Sequence, residues 1–266
     1  MNRIDKKFSD LRKDKKKAFI AFITAGDPNL KTTEQLVLAF EKAGADIVEL
    51  GVPFSDPLAD GPTIQAASER ALKNGVNLDK ILECVRRIRR KSDIPIVLMT
   101  YYNPIFHYNE RKFIARAKKS GVDGVIVPDL PPEEAKPLIE EARAHNLSTI
   151  FFLSPTTTTK RIKKVAKSST GFIYFVSIAG VTGARQALPS VLAQQVRTAK
   201  RYTKTPICVG FGVSTPEQAK KISKLSDGVI IGSAVVKALA LNPGMNAFKF
   251  SKKYVRPFVK ALEKKS

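Results

Sequence analysis

The chain has 266 residues and carries 46 Lys and Arg against 24 Asp and Glu, a formal net charge of +22. Its length suits one large α/β domain or two small ones, and the lack of a Ser/Gly-rich or low-complexity divider favours a single domain over residues 1–266. No apolar run approaches the ~18 residues of a membrane span and the Lys-rich start has no signal-peptide core, so a cytoplasmic protein without a membrane segment is expected.

In chain order, 2–13 reads as an extra amphipathic helix, followed by eight short runs rich in β-branched residues at 18–24, 47–52, 96–101, 124–127, 149–153, 172–177, 207–209 and 228–231. Between and after them lie helical patterns at 31–42, 64–73, 79–90, 110–119, 132–144, 159–167, 190–201 and 215–223, then 234–241 and a closing helix over 245–263. Strands that alternate with helices pair in parallel through crossovers. Eight such units predict a closed (β/α)8 TIM barrel with additional N-terminal and C-terminal helices. An open doubly wound sheet is disfavoured, because no G-x-G-x-x-G follows the first strand. Cys84 and Cys208 fall in a helical and a strand pattern, which suggests two buried thiols rather than a disulfide. His107 and His145 are far apart and no Cys/His cluster has ligand spacing, so no metal site is expected.

In barrels of this kind the strand C-terminal ends carry the chemistry. The second strand supplies an acid inside an apolar run: alternation from Ile47 to Val52 places Ile47, Glu49 and Gly51 on one face and Val48, Leu50 and Val52 on the other. Glu49 therefore shares its face with a small residue and points into a confined space. The loop after it holds Pro53, Pro57 and Pro62, which stiffen it, and Asp56 and Asp60. The plainer alternative is an acid satisfied by local donors beside two turn-forming aspartates. Late strand ends favour a site: Gly183, Gly212, and Gly232 with Ser233 lie after three successive strands, the last pair just before a helix-like run. Glycine admits close approach of backbone N–H groups to an anion and a helix N-terminus adds its dipole, which points to a phosphate cradle. Phe22, Met99, Tyr174 and Phe211 could line a slot for a flat ring or serve as barrel core, and Thr182 could donate to Asp60 or be a turn residue.

The net charge invites a nucleic-acid reading. Runs such as Arg86-Arg87-Ile-Arg89-Arg90-Lys91 and Lys160-Arg161-Ile-Lys163-Lys164 interleave cations with apolar residues, as solvated helix faces do. No nucleic-acid module is present, so nucleic-acid binding is not expected as the main function, and a phosphorylated substrate would gain from the same field.

Leu50-Gly-Val-Pro-Phe-Ser-Asp-Pro-Leu-Ala-Asp-Gly-Pro-Thr-Ile-Gln65, supported by Thr24-Ala-Gly-Asp-Pro28, Val127-Pro-Asp-Leu-Pro131, Gly180-Val-Thr-Gly183, Gly210-Phe-Gly-Val213 and Ile231-Gly-Ser233, resembles the alpha chain of tryptophan synthase over essentially the whole length. The resemblance implies a lyase that splits indole-3-glycerol phosphate to indole and glyceraldehyde 3-phosphate by a retro-aldol step, with no cofactor of its own. By the same resemblance Glu49 is the acid/base, Asp60 accepts the indole N–H, Tyr174 flanks the acid and Thr182 holds Asp60. Gly183, Gly212, Gly232 and Ser233 then bind the phosphate, and the Asp60 loop with the segment after Gly180 forms a lid. A beta chain carrying pyridoxal phosphate is the implied partner in an alpha2beta2 heterotetramer, meeting residues 53–56 and 103–108. Ile178 stands where some relatives have arginine. Two other readings remain: a barrel that mainly activates a beta chain, and a stand-alone lyase that releases free indole.

Overall fold

The computed structural model describes residues 1–176, 188–210 and 212–263. Nine parallel strand segments make one sheet: β1 (Ala18–Thr24), β2 (Ile47–Gly51), β3 (Ile96–Met99), β4 (Gly124–Ile126), β5 (Ser148–Ile150), β6 (Phe152–Leu153), β7 (Ile173–Val176), β8 (Ile207–Gly210) and β9 (Gly228–Ile231). Their order is β5-β4-β3-β2-β1-β9-β8-β7-β6. β5 and β6 are separated by Phe151 alone, and while β5 pairs with β4, β6 pairs with β7. The Phe151 carbonyl accepts from the Tyr174 N–H at 3.0 Å. The two ends of the sheet are thus one bent strand, which closes the expected eight-staved barrel.

Side-chain alternation sorts the strands into two cores. Outward residues such as Phe19, Ile23, Val48 and Leu50 join the layer between sheet and helices. Inward residues such as Ile20, Ile47, Val97, Ile126 and Ile230 form a smaller cluster inside the barrel. The N-terminal helix Arg3–Lys13 stops this inner core from below, placing Ile4, Phe8 and Leu11 against it. Asn2 pins that stopper: its Oδ1 accepts the Asp5 N–H at 3.0 Å, and its Nδ2 donates to the Asp123 carbonyl at 3.2 Å and the Ser148 hydroxyl at 2.7 Å. Losing a helix cap and two buried cross-links together is expected to cost about 2 kcal/mol. Urea unfolding of Asn2→Ala measures it, and an unchanged midpoint would show that the stopper is held by its apolar face alone.

Three elements differ from expectation, each for a proline or a capping reason. The expected 132–144 helix starts only at Lys136, because Pro131 and Pro132 favour a turn, closed by Glu134 and Ala135 N–H groups donating to the Pro131 carbonyl. A short helix, Tyr102–Tyr108, follows β3 where a loop was expected, with Pro104 in a first turn that needs no N–H there. The closing helix is two helices, Ala247–Tyr254 and Arg256–Glu263, since Pro257 cannot donate back along a continuous one. Cys84 and Cys208 are both buried free thiols. Among the described residues, no helix is long and apolar enough to cross a membrane.

Candidate active site

At the C-terminal mouth of the barrel a cavity of ≈ 500 Å³ is lined by Phe22, Glu49, Asp60, Met99, Tyr174, Gly212, Gly232 and Ser233, eight of the residues singled out from the sequence. Thr182, Gly183 and Phe211, with Ile178 and the segment after Gly180, lie outside the described residues. Pro128, Phe152, Val176, Val213, Ile230, the loop residues Ala59 and Gly61, and Pro62, Thr63 and Ile64 at the start of the following helix complete the wall.

Glu49 occupies the inward position at the middle of β2, level with Phe22 on β1 and Val97 on β3. It is 1% exposed, and neither carboxylate oxygen has a hydrogen-bond partner among the described residues. A buried polar group without a partner is rare enough to need a reason. Burial, aided by the charge of Asp60, pushes its pKa up to about 8. Glu49 therefore holds a proton at neutral pH, as an acid facing an apolar chamber. Room for the ring end comes from glycine: a Cβ at Gly51 would lie 2.6 Å from the Phe22 ring, so Phe22 can lie across β2 beside Glu49 only because position 51 has none.

Asp60 reaches the same cavity from the loop after β2, where its N–H donates to the Pro57 carbonyl at 3.0 Å and its carbonyl accepts from Gln65 Nε2 at 2.8 Å. Pro62 then opens the helix Pro62–Lys73. Tyr101 acts as a strut: its ring stacks on Phe54, its hydroxyl accepts the Ala59 N–H at 2.9 Å and donates to Asp60 Oδ2 at 3.2 Å. Burial raises the Asp60 pKa, and the Tyr101 hydroxyl opposes that shift. Asp60 remains the more ionisable of the two acids. From the sequence, Tyr101 was one more residue at a strand end; its role comes from a loop folding back across 41 positions, which no local periodicity records. Phe152 could have been found, since Ser148, Ile150 and Phe152 alternate inward.

On the same cavity wall, Gly232 caps the helix Ser233–Leu241 with its carbonyl accepting from Val236. The first-turn N–H groups of such a helix have no intrahelical partner, and the dipole favours an anion there. No lysine or arginine is among the described lining residues, so an anion would be held by backbone rather than by a cation. Among the described residues no group of three or more His, Cys, Asp or Glu could hold a metal ion. The arrangement is a chamber whose wall carries two carboxyl groups, Glu49 and Asp60, together with the N-terminus of the helix Ser233–Leu241.

Comparison with known proteins identifies the family. Residues 8–264 match the sequence model of the tryptophan synthase alpha chain family. A tryptophan synthase alpha chain of Thermoanaerobacter sp. is 50% identical over 263 residues, covering 99% of both chains. That of Geotalea daltonii is 53% identical over 237 residues, 89% of this chain and 90% of the relative. Among solved structures, tryptophan synthase subunit alpha from Legionella pneumophila superposes with a TM-score of 0.91 at 38% identity, covering 99% of each chain. A chain of the tryptophan synthase a2b2 complex from Pyrococcus furiosus gives a TM-score of 0.85 at 44% identity, covering 92% of this chain and 99% of that one. With a family match over nearly its full length and relatives at half identity, this chain belongs to the tryptophan synthase alpha chain family.

Proposed function

We propose that the mouth cavity binds indole-3-glycerol phosphate with the phosphate on Gly183, Gly212, Gly232 and Ser233 and the indole ring between Glu49 and Asp60. As a member of its family the chain is a lyase of tryptophan biosynthesis that releases indole and glyceraldehyde 3-phosphate. It needs no cofactor of its own, and its partner is a beta chain that carries pyridoxal phosphate.

One carboxyl can close the proton balance of the cleavage. Glu49, protonated at rest, gives its proton to the ring carbon that bears the side chain, which makes that carbon a leaving group. The resulting carboxylate then takes the proton of the adjacent side-chain hydroxyl as the carbon-carbon bond breaks and the aldehyde forms, which restores the acid. Asp60 accepts the ring N–H and faces the positive charge that protonation creates. The observation that carries this reading is the buried, unpartnered Glu49 carboxyl, with its pKa up to about 8, in the same cavity as the Gly232–Ser233 helix terminus. General acid/base catalysis is most effective when such a pKa lies near working pH.

Tyr101 should tune Asp60 without touching the reacting bond. Tyr101→Phe is expected to lower kcat/KM about fivefold, the worth of one hydrogen bond near 1 kcal/mol. It should also move the acidic limb of the pH profile upward, because the hydroxyl that favours ionised Asp60 is gone. A fall in activity with an unmoved limb would leave Tyr101 a packing residue only.

Exposed Leu58 and Phe106 stand on the same end of the barrel as the mouth loops, at 95% and 68% exposure, and support docking of the beta chain across residues 53–56, which Leu58 adjoins, and 103–108. We read residues 1–266 as one barrel domain working in the cytoplasm, alongside the other steps of a biosynthetic route. The direct test is indole formation from indole-3-glycerol phosphate by the purified chain, alone and with a beta chain. Turnover in both, raised by the partner, is expected; no indole under either condition would sink the reading.

A further inference from the structure

The positive charge is not spread evenly. Beyond Glu141 the chain has 22 Lys and Arg but only the acids Glu217, Asp227 and Glu263, so this part accounts for most of the excess. Within it, Lys160, Lys163, Lys164 and Lys167 recur at the i, i+3, i+4, i+7 spacing of one helix face, on the helix Thr159–Ser168, and all four are exposed. Of these only Lys164 meets a carboxylate among the described residues, Glu133 at 3.4 Å, which Arg161 shares at 3.6 Å. Tyr202 lies against the stripe with the Lys163 Nζ 5.0 Å from its ring centroid, and at 41% exposure it still offers a face.

The stripe runs into a polar pocket at the closed end of the barrel. Arg143 donates to the Lys167 carbonyl at 3.0 Å, and with Asn146, Ser169, Thr170, Lys204 and Thr205 it lines a cavity of ≈ 430 Å³. The Ser169 hydroxyl there is buried without a partner among the described residues. Asp5 is the one carboxylate of that wall, and it already accepts the Asn2 N–H at 3.2 Å.

We infer that this flank, on the side and floor of the barrel away from the catalytic mouth, binds single-stranded nucleic acid without sequence preference. A lysine row supplies phosphate contacts, an exposed tyrosine beside it supplies a stacking face, and the polar pocket next to it can take a base or sugar edge. The pattern favours this occupant over a lipid surface: among the described residues the large apolar side chains exposed near the stripe and pocket are Tyr202 and Met1, the latter next to Asn2 of the pocket wall, too few to anchor a face between lipids. An acidic protein surface would bring cations of its own to a face that has almost no acids to receive them. The inference is independent of the lyase reaction, since none of these residues lines the catalytic cavity.

The test is fluorescence anisotropy of the full chain with a labelled oligouridylate of about twelve nucleotides, titrated between roughly 50 and 300 mM KCl. With three or four phosphate contacts at about 0.7 per contact, a log-log salt slope between about −2 and −3 is expected. Changing Lys160, Lys163, Lys164 and Lys167 together to Gln should weaken binding at low salt about tenfold or more and flatten the slope, while indole release stays as in the parent. Tyr202→Ala should weaken binding about fivefold or more with the slope unchanged, which separates stacking from charge. A matched set from the other half of the chain, Lys15, Lys16, Lys31 and Lys73 to Gln, should leave binding nearly as it was. No binding at the lowest salt, equal losses from both lysine sets, or stronger binding to vesicles of phosphatidylcholine and phosphatidylglycerol than to the oligonucleotide would each overturn the inference.

Discussion

Glu49→Gln is expected to lower the rate of indole release by about 10²- to 10⁴-fold, the usual worth of a positioned acid/base, while KM changes by no more than about threefold. The amide has nearly the carboxyl's size and can sit in the same inward position of β2, so the cavity and the phosphate end should be undisturbed. What it cannot do is give up a proton to the ring carbon and take one back from the hydroxyl. The loss should therefore fall on kcat rather than on binding, and steady-state indole formation with a separate measurement of substrate affinity separates the two. Retention of more than about a tenth of the parent rate would mean that another group moves both protons, and the role given to Glu49 would fall. In the parent, the first proton must come from the acid form, so kcat/KM should decline as pH rises through about 8. Two limbs of a pH profile would then report the two carboxyls as a coupled pair rather than as isolated sites.

Much of this site was legible because a barrel strand has a period of two and its active end is fixed by topology. Knowing that Glu49 alternates with Ile47 and Gly51 was enough to aim it inward, and inward near the C-terminal end of a closed barrel means into the mouth. The same logic brought Gly212, Gly232 and Ser233 to the cavity wall from strands far away in the chain. Local pattern could not foresee interactions made by loops, whose direction depends on what they meet. Tyr101 is the case in point, since its hydroxyl bonds to Asp60 depend on how ten residues after β2 fold back over β3. The helix Tyr102–Tyr108 was missed for a related reason: a strand end followed by Asn103-Pro104 reads as a turn, although proline is equally at home in the first turn of a helix. Charge was legible as a sum and not as a surface. Lysines that look like ordinary solvated faces one helix at a time become a continuous feature only when Lys163 is placed beside Tyr202 and Arg143 beside Lys167.

A buried acid kept for catalysis should also leave a mark on stability, and its sign and range of pH are set by the same environment. Glu49 has an ordinary value of 4.5 and about 8 in the fold, so it is a carboxyl whose folded-state pKa is raised. Below about 4.5 both folded and unfolded chains carry its proton, and burial of the neutral group adds no pH-dependent cost. Between about 4.5 and 8 the unfolded chain loses the proton while the folded chain keeps it, so stability falls as pH rises, by up to about 1.4 kcal/mol per unit. Above about 8 both are ionised and the loss levels off at a few kcal/mol, of order 3 to 5. Glu49→Gln has no such titration. Its stability relative to the parent should therefore be small and nearly constant at acid pH, and should grow by roughly 3 kcal/mol between pH 5.5 and 8.5, measured by urea unfolding at each pH. Asp60, whose pKa is raised in the same direction, is present in both chains and largely cancels in the difference. Parallel stability curves would mean that the Glu49 carboxyl is as well solvated in the fold as in the unfolded chain. A charged, hydrated Glu49 at neutral pH has no proton to give to the ring, so that outcome would remove the first step of the proposed cleavage as well as the stability effect.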